Sequence, residues 1–312
     1  MLSPGEVLSR EVFVIKEANV GTTSKGDPFV SMTLADRTGE IDCKKWDCGE
    51  LPGKPGDFLS IDGTVGSYKG ESQITVKRTT PLVLDKNPDI DVKDFVASSR
   101  RSALDMRDEV EQLIDRHCDE GTAKLLHRVL EHPKLLDTPA ALKNHHAYAG
   151  GLLEHMLSMA QIGLMLCDHY EAQYPGVLSK SLVIAGCVLH DIGKCVEQDP
   201  LAGYTDQGKL VGHIALGVQM LIWAAVDLYG DDQSVLMDER LIRLKHMILS
   251  HHGTQEWGSP VEPRTPEAHI LHQIDMLDSR MNMIAGAVEG CEDAWTEKVW
   301  ALGGELYVGA GG

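Results

Sequence analysis

Hydrophobic and polar residues alternate in short segments between residue 11 and about residue 84. In one segment Val30, Met32 and Leu34 occupy every second position, and the segments at 59–62 and 74–77 follow the same rule. Turns that contain glycine separate these segments. A period of two with frequent turns is typical of antiparallel strands, and five strands in about 75 residues suit a small closed barrel.

A different pattern begins after residues 85–97, a polar stretch that contains Pro88 and predicts a linker. From there the hydrophobic period is 3.6, which is typical of amphipathic helices. We therefore predict a multidomain chain with both α and β structure. Its expected parts are a five-stranded OB (oligonucleotide-binding) β-barrel at 1–84, the linker at 85–97, an all-α domain at 98–295 and a C-terminal tail at 296–312.

The composition favours a protein of the reducing cytoplasm. Hydrophobic residues make up 43% of the 312 residues and aromatic residues 5%, which favours a soluble and largely helical chain. The seven cysteines are scattered and never form a CxxC pair, so neither a disulfide framework nor a zinc knuckle is indicated. The first residues lack a signal pattern, and no apolar run approaches the roughly 18 residues that span a bilayer. We therefore expect a cytoplasmic protein that has no membrane partner.

The charge is acidic and unevenly distributed. A net charge of −18 argues against a protein that wraps duplex DNA, because neutralising phosphates requires a basic surface. Residues 1–88 hold 11 Lys or Arg and 13 Asp or Glu, a net of −2, which leaves −16 for residues 89–312. If one part of the chain binds nucleic acid, we expect it to be the barrel.

The stretch from Phe29 to Trp46 resembles the OB domains of the tRNA-anticodon and single-strand-binding type, with Leu34-Ala35-Asp36-Arg37-Thr38-Gly39-Glu40-Ile41 at its centre. Phe29 lies on the face opposite Val30, so its ring is a candidate for stacking on a base. Trp46 is a second candidate if Cys43 points inward, and packing in the core or at the rim of the barrel is the alternative for both rings. Lysines expected near the phosphates are Lys44, Lys45 and Lys69.

Histidines and aspartates recur at the ends and on the inner faces of the predicted helices. His190 and Asp191 follow the apolar run 182–189 and precede Gly193. The other positions of this kind are His155, His213, His251, His252 and Asp275. Each alone is compatible with capping, core packing or solvation, but together they favour a divalent-metal site.

The donor types indicate which ions the site can hold. Imidazole and carboxylate without thiolate suit manganese first, and iron, cobalt, nickel, zinc or magnesium as well. Six or seven groups are too many for one ion with an open position. We therefore keep two possibilities, a single ion or two ions bridged by Asp191.

The order H…HD…H…HH…D resembles that of the HD-domain phosphohydrolases. Longer motifs, such as Leu189-His190-Asp191-Ile192-Gly193-Lys194 and the stretches 145–155 and 251–260, resemble the YhaM-type 3′-5′ exoribonucleases, which join an OB domain to an HD domain. The resemblance covers nearly the whole chain. It implies that the first ion is held by His155, His190, Asp191 and Asp275, and that the second is held by His213, His251 and, as a further candidate, His252.

The resemblance also implies roles around the metal. Lys194 is expected to contact the scissile phosphate, although a solvated lysine is an equal alternative. His145 and His146 precede a helix start that can receive an anion, and a capping or surface role is the alternative. Asp278 follows Asp275 by one turn, and we favour an ordinary salt bridge for it, with support of a metal ligand as the alternative.

The implied activity is that of a metal-dependent 3′-5′ exonuclease that hydrolyses single-stranded RNA to 5′-mononucleotides, with Asp191 and Lys194 as catalytic residues. DNA is kept open as a further substrate. One rival is an HD phosphodiesterase or nucleotidase that acts on a cyclic or free nucleotide. Another is a single-strand-binding protein without catalysis. The sequence is compatible with a homo-oligomer but does not specify one.

Overall fold

The computed structural model describes residues 2–87, 89–90, 94–142, 145–230 and 237–309. The chain divides into two compact units. The first comprises the residues up to Ser98 together with Asp199–Thr205, and the second comprises Ser99–Gln198 and the residues from Asp206 onward.

The first unit is a closed five-stranded barrel. Its strands are β1 (Val7–Thr22), β2 (Pro28–Asp36), β3 (Gly39–Trp46), β4 (Phe58–Tyr68) and β5 (Glu71–Leu82). They follow the order β1-β2-β3-β5-β4, with β4 returning to β1. Only the β3–β5 pairing is parallel. The predicted OB barrel is therefore confirmed.

Alternation of side chains explains how the barrel fills its interior. Val30, Met32 and Leu34 of β2 are buried, and Met32 lies opposite the buried Cys43 of β3. A second small cluster of this unit includes Phe58 and Phe95, whose rings meet edge to face at 4.9 Å, with Leu201 packed against it. The segment 199–205 therefore contributes to the core of the barrel unit, a placement that the periodicity of the sequence does not address.

The second unit is helical, as the 3.6-residue period predicts. Its helices are α1 (Ala103–His117), α2 (Glu120–Leu130), α3 (Gly151–Gln173), α4 (Lys180–Leu189), α5 (Lys194–Glu197), α6 (Asp206–Val211), α7 (His213–Tyr229), α8 (Glu239–Ser250) and α9 (Pro266–Val288). Two-residue strands, β6 (Gln198–Asp199) and β7 (Gly203–Tyr204), lie between α5 and α6. Among the described residues, no helix is both long and apolar enough to cross a membrane.

Local capping explains where several of these helices begin. The side chains of Ser102, Asp119, Ser179 and Thr265 each accept a hydrogen bond from a main-chain amide of the first turn. Every residue from Leu182 to Leu189 in α4 is buried, so this helix runs through the common core of the unit. The residues that follow α4 therefore emerge inside the unit rather than at its surface.

Candidate metal centre and nucleic-acid interface

Five helices deliver the predicted ligands, from their ends or from one face. His155 projects from α3, His213 is the first residue of α7, and His251 follows the last residue of α8. His190 and Asp191 follow α4, while Asp275 lies within α9. The ligand atoms of His155, His190 and Asp275 lie within 4.8 Å of one another, and those of the trio His213, His251 and His252 do so as well.

Asp191 lies between these two groups of ligands. Its Oδ2 atom is 3.3 Å from His190 Nε2, whereas its Oδ1 atom is 3.5 Å from the Nε2 atoms of both His213 and His251. The two oxygens of one carboxylate therefore face different groups. This is the position that a residue bridging two ions requires.

Hydrogen bonds fix which ring nitrogen of each histidine faces the site. Nδ1 of His190 lies 3.0 Å from the carbonyl oxygen of Cys187, and Nδ1 of His251 lies 2.7 Å from that of Ile248. A carbonyl oxygen only accepts, so in both rings Nδ1 donates and the neutral imidazole carries its lone pair on Nε2. In His155 and His213, Nδ1 lies next to a carboxylate instead of a main-chain carbonyl.

The buried atoms of the site that have no hydrogen bond fit a divalent cation. Within the described part of the chain, no hydrogen-bond partner exists for the buried Nε2 atoms of His155, His190, His213 and His251 or for Asp191 Oδ1. Leaving buried acceptors unsatisfied is costly, by about 1–3 kcal/mol each. A bound cation would use these lone pairs, and imidazoles whose second nitrogen is hydrogen-bonded are typical metal ligands.

The electrostatics of the site keep most ligands in the form that binds a cation. Burial by itself would raise the pKa of Asp191, but the charge of the Lys194 ammonium, together with the neighbouring histidines, holds it well below its ordinary value. Burial also lowers the pKa of His251, and it lowers the pKa of His252 to about 4. The carboxylate is therefore ionised and these two imidazoles are neutral at pH 7.

His155 differs from its neighbours. Its ring is fully buried, which lowers its pKa, but the neighbouring carboxylates of Asp275 and Asp278 outweigh burial and raise the pKa to about 9. Nδ1 lies 2.7 Å from Asp278 Oδ2, and Nε2 lies 3.3 Å from Asp275 Oδ1. The imidazole is held between two carboxylates of α9.

Asp278 supports the ligand His155 rather than forming a surface salt bridge. Besides His155, its carboxylate accepts a hydrogen bond from the Ser158 hydroxyl, and His146 Nε2 lies 3.2 Å from Oδ2. His146 is buried and its Nδ1 lies 3.0 Å from the Tyr148 hydroxyl. His146 is therefore engaged inside the protein.

His145 and Lys194 face the metal site. The His145 ring lies 5.4 Å from the ring of His155, and its buried Nε2 has no hydrogen-bond partner among the described residues. Lys194 Nζ lies 2.5 Å from Asp191 Oδ2 and is buried with it. The lysine is thus part of the cluster, not a solvated residue beyond a helix.

Glu197 is a residue of this site that sequence reasoning missed. Its Oε1 atom accepts hydrogen bonds from the main-chain amide of His213 at 2.9 Å and lies 3.1 Å from His213 Nδ1. Glu197 ends a helix of four residues and lies sixteen positions before its partner. No spacing rule connects the two, so the sequence carries no local signal for the pair.

The barrel gathers a cluster of aromatic and basic side chains on one face. Phe29 and Trp46 are directly paired across β2 and β3, and their rings lie 5.3 Å apart. Lys44 Nζ lies 5.2 Å, 5.5 Å and 5.7 Å from the ring centroids of Phe29, Trp46 and Tyr68. Lys69 Nζ lies 5.5 Å from the Tyr68 ring. We call Phe29, Lys44, Trp46, Tyr68 and Lys69 the aromatic face.

Tyr68 and Lys45 differ from the expected set. Tyr68, at the end of β4, is 56% exposed and belongs to the aromatic face, although sequence reasoning did not select it. Lys45 lies between Lys44 and Trp46 on β3, so alternation turns it to the other side of the strand. Its Nζ atom lies 3.0 Å from the Thr79 hydroxyl oxygen. The structure does not bring Lys45 to the aromatic face.

The fold and this site define the class of protein, which is an OB barrel followed in the chain by an HD domain with a candidate metal site. The HD domain family model matches residues 152–280, which include every candidate ligand. A solved structure, the second OB-fold domain of replication protein A from Methanococcus maripaludis, aligns with 23% of this chain and 79% of its own at 22% identity and a TM-score of 0.20. The barrel assignment rests on the strand order and not on that likeness.

Curated relatives identify the particular family. The 3′-5′ exoribonuclease YhaM of Bacillus subtilis is 35% identical over 300 residues, covering 94% of this chain and 91% of the relative. The YhaM protein of Bacillus licheniformis is 35% identical, with coverages of 93% and 90%, and that of Geobacillus sp. is 34% identical, with coverages of 93% and 88%. This chain belongs to the YhaM 3′-5′ exoribonuclease family, and the resemblance seen in its motifs is confirmed.

Proposed function

We propose that this protein is a metal-dependent 3′-5′ exonuclease that hydrolyses single-stranded RNA to 5′-mononucleotides. The observation that carries the proposal is a set of four buried Nε2 atoms that have no hydrogen-bond partner among the described residues and that surround two carboxylates. Those of His213 and His251 face Asp191 Oδ1, that of His190 faces Asp191 Oδ2, and that of His155 faces Asp275 Oδ1. Membership of the YhaM family supports the direction and the type of substrate. Single-stranded DNA is a second substrate to be tested.

Two ions are proposed, with manganese as the expected metal. His155, His190 and Asp275 would hold the first ion, His213 and His251 the second, and Asp191 would contribute to both. His252 is the remaining candidate for the second ion, because its Nδ1 lies 3.0 Å from the carbonyl oxygen of Trp257 and its Nε2 is therefore the lone-pair nitrogen. Bound divalent cations activate water as a nucleophile and offset charge on phosphoryl oxygens.

Lys194 and His145 are the side chains proposed to meet the substrate phosphate. An ammonium group has three donors, and Asp191 Oδ2 takes one of those of Lys194. The other two remain for a phosphoryl oxygen. Burial lowers the pKa of His145 to about 4, so its neutral ring would offer an N–H rather than a charge. His146, which binds Asp278, is proposed to support the site from within.

The aromatic face of the barrel is proposed to hold the single strand while its 3′ end is hydrolysed. Stacking on aromatic rings tolerates any base, and lysines beside the rings neutralise the phosphates. The exposed rings of Trp46 and Tyr68 with Lys44 between them match this requirement. A barrel of nearly neutral charge can therefore bind RNA although the whole chain is acidic.

A labelled-substrate assay tests the proposal. Full-length protein is incubated with 5′-labelled single-stranded RNA or DNA in the presence of Mn²⁺, Mg²⁺ or EDTA, beside a panel of cyclic nucleotides. We expect a ladder that shortens from the 3′ end, that releases 5′-mononucleotides, and that disappears in EDTA. Hydrolysis of a cyclic nucleotide with intact oligonucleotides would instead support a nucleotide phosphodiesterase.

A further inference from the structure

Glu197 is a buried carboxylate with an unusual set of partners. It is the last residue of α5 and is 7% exposed. One oxygen, Oε1, accepts the main-chain N–H of His213 at 2.9 Å and lies 3.1 Å from Nδ1 of the same residue. Both contacts are to one histidine, so the carboxylate fixes the position of the residue and the rotation of its ring together.

The main-chain contact gives helix α7 a cap that its own sequence lacks. The residue before α7 is Gly212, which has no side chain that could accept a hydrogen bond from the first turn. The first amides of a helix have no partners within the helix. Glu197 supplies an acceptor from another element, and its negative charge is favourable at a helix N-terminus.

The side-chain contact determines the tautomer of His213. Glu197 Oε1 already accepts the main-chain N–H of His213, so it accepts from Nδ1 as well, and the lone pair of the neutral ring is on Nε2. That Nε2 atom lies 3.5 Å from Asp191 Oδ1 at the other edge of the ring and has no hydrogen bond in the described part of the chain.

Only one other proposed ligand is oriented by a carboxylate. His155 uses Asp278, whereas His190, His251 and His252 use main-chain carbonyls. Asp278 therefore orients a histidine of the group His155, His190 and Asp275, whereas Glu197 orients a histidine of the group His213, His251 and His252.

We propose that Glu197 is a positioning residue that controls binding of the second ion through His213, while Asp278 serves the first ion through His155. The inference rests on the two-ion site proposed above. No hydrogen bond among the described residues joins Glu197 to Asp191, so its effect on the ion passes through His213, whose main-chain amide and ring it both holds. Loss of such a partner lowers metal affinity by about 10- to 100-fold in other sites of this kind.

Titration calorimetry of the chelator-treated full-length protein with Mn²⁺ tests the proposal. We expect two binding steps for the wild type, and a 10- to 100-fold weaker affinity for one of them in Glu197→Ala. His213→Ala identifies that step by abolishing it. The double variant should match His213→Ala, because Glu197 acts through a side chain that is then absent. Asp278→Ala should weaken the other step.

Glu197→Gln separates the hydrogen bond from the charge. Its amide oxygen can still accept from His213. Gln198 Nε2 lies 3.4 Å from Glu197 Oε2, and the buried Oε1 of Gln198 has no partner among the described residues. If the Gln198 amide rotates, its Oε1 can accept a hydrogen bond from the new N–H₂ group of the glutamine at position 197. We therefore expect this variant to recover most of the affinity that the alanine variant loses.

A spectroscopic measurement keeps the test valid even if the alanine variant folds poorly. With ¹⁵N-histidine labelling of the metal-free protein, the resonances of His213 are assigned by their loss in His213→Ala. They should report Nδ1–H in the wild type and in Glu197→Gln, and a mixture of tautomers in Glu197→Ala. Circular dichroism and thermal melting establish that each variant is folded.

Three results would overturn the inference. Glu197→Ala could bind both ions with wild-type affinity, it could weaken both steps equally, or its effect could add to that of His213→Ala. A single Mn²⁺ step in the wild type would overturn the two-ion site along with it. Two wild-type steps, RNA hydrolysis and an unaltered Glu197→Ala would overturn the role of Glu197 alone and leave the proposed function standing.

Discussion

Lys194 Nζ lies 2.5 Å from Asp191 Oδ2, three residues earlier in the chain, and both side chains are buried. The ammonium occupies one oxygen of the carboxylate, while Oδ1 faces the imidazoles of His213 and His251. The lysine therefore stabilises the buried carboxylate in the absence of metal, while both oxygens still face candidate ligands, Oδ2 towards His190 and Oδ1 towards His213 and His251.

Substitution of Asp191 by alanine should abolish hydrolysis and leave RNA binding intact. The change removes the carboxylate that both proposed ions share, whereas the aromatic face lies on the separate barrel unit. Substitutions in separate compact units usually act independently, within about 0.5 kcal/mol, so the Kd for RNA should change less than about threefold. Fluorescence anisotropy with labelled RNA in EDTA measures the Kd, and the shortening assay measures hydrolysis. Equal loss of both activities would mean that Asp191 is structural.

Substitution of Lys194 by alanine should destabilise the protein in a metal-dependent way. Removing one partner of a buried ion pair costs about 3–5 kcal/mol, because the remaining charge is uncompensated. In EDTA we therefore expect a lower Tm than for the wild type. Mn²⁺ should restore much of the difference, since a cation can compensate Asp191, but it should not restore hydrolysis.

Thermal melting of wild type and Lys194→Ala with and without Mn²⁺ provides that measurement. The control is Lys298→Ala, which removes a lysine that lies over the exposed ring of Trp300. Its Tm should respond to Mn²⁺ as the wild type does. A Lys194 variant with unchanged Tm in EDTA would show that the pair with Asp191 contributes little to stability.

Much of this architecture follows from local sequence rules. The remainder depends on contacts between residues that are far apart in the sequence. Ser102, Asp119 and Thr265 cap the helices that they precede, so those helices were predictable from neighbouring residues. Alternation along β3 places Lys44 and Trp46 together, and the same rule applied one residue further turns Lys45 away. The alternation of side chains along β3 is therefore enough to predict that Lys45 points away from Lys44 and Trp46.

Glu197 and Tyr68 could not be found by such rules. Glu197 meets His213 only because α5 and the start of α7 pack together, and Tyr68 meets Lys44 only because β4 and β3 both flank β5. Neither pairing depends on a fixed spacing in the sequence. The candidate metal ligands could be selected from the sequence because residue type alone restricts what a buried histidine beside an aspartate can do.

Substitutions on the aromatic face should weaken RNA binding without slowing the chemical step. Stacking of a base on an aromatic ring contributes about 1–3 kcal/mol. Trp46→Ala and Tyr68→Ala should therefore each raise the Kd for single-stranded RNA by roughly 5- to 150-fold, and raise KM with little change in kcat. The first substitution tests a residue that the sequence indicates, and the second tests one that only the structure shows.

Trp300→Ala is the matched control for these variants. Trp300 is 80% exposed and has a lysine ammonium 3.6 Å from its ring centroid, as the aromatic face has lysines beside its rings, but it lies outside the barrel. Its Kd should remain that of the wild type. An equal effect at all three positions would indicate non-specific contacts with exposed aromatic rings.

Substitution of Gly193 by alanine should disturb the metal site through the main chain. A Cβ atom at Gly193 would lie 2.0 Å from the carbonyl oxygen of His213 and 2.6 Å from the amide of Gly217. The start of α7 would have to move, and overpacking of this kind costs about 1–3 kcal/mol. We expect a lower Tm and weaker Mn²⁺ binding, because His213 moves with the helix.

The control is Gly286→Ala in α9, where an added Cβ meets nothing within 4 Å. Alanine is favoured over glycine within a helix by up to about 1 kcal/mol, so this variant should be slightly more stable than the wild type. Thermal melting and Mn²⁺ calorimetry compare the two variants. Unchanged Mn²⁺ affinity in Gly193→Ala would show that His213 tolerates displacement of the helix.

Binding of Mn²⁺ should release a proton from His155. Burial lowers the pKa of this histidine, but the neighbouring carboxylates of Asp275 and Asp278 outweigh it and raise the pKa to about 9, so the metal-free ring is protonated at pH 7. A cation can bind Nε2 only after that proton leaves. The folded-state pKa lies above the ordinary value, so Mn²⁺ affinity should rise by up to about tenfold for each pH unit between pH 6 and 8 and level off near pH 9. Calorimetry at one pH in two buffers of different ionisation enthalpy counts the protons directly, and equal heats in the two buffers would show that His155 is already neutral.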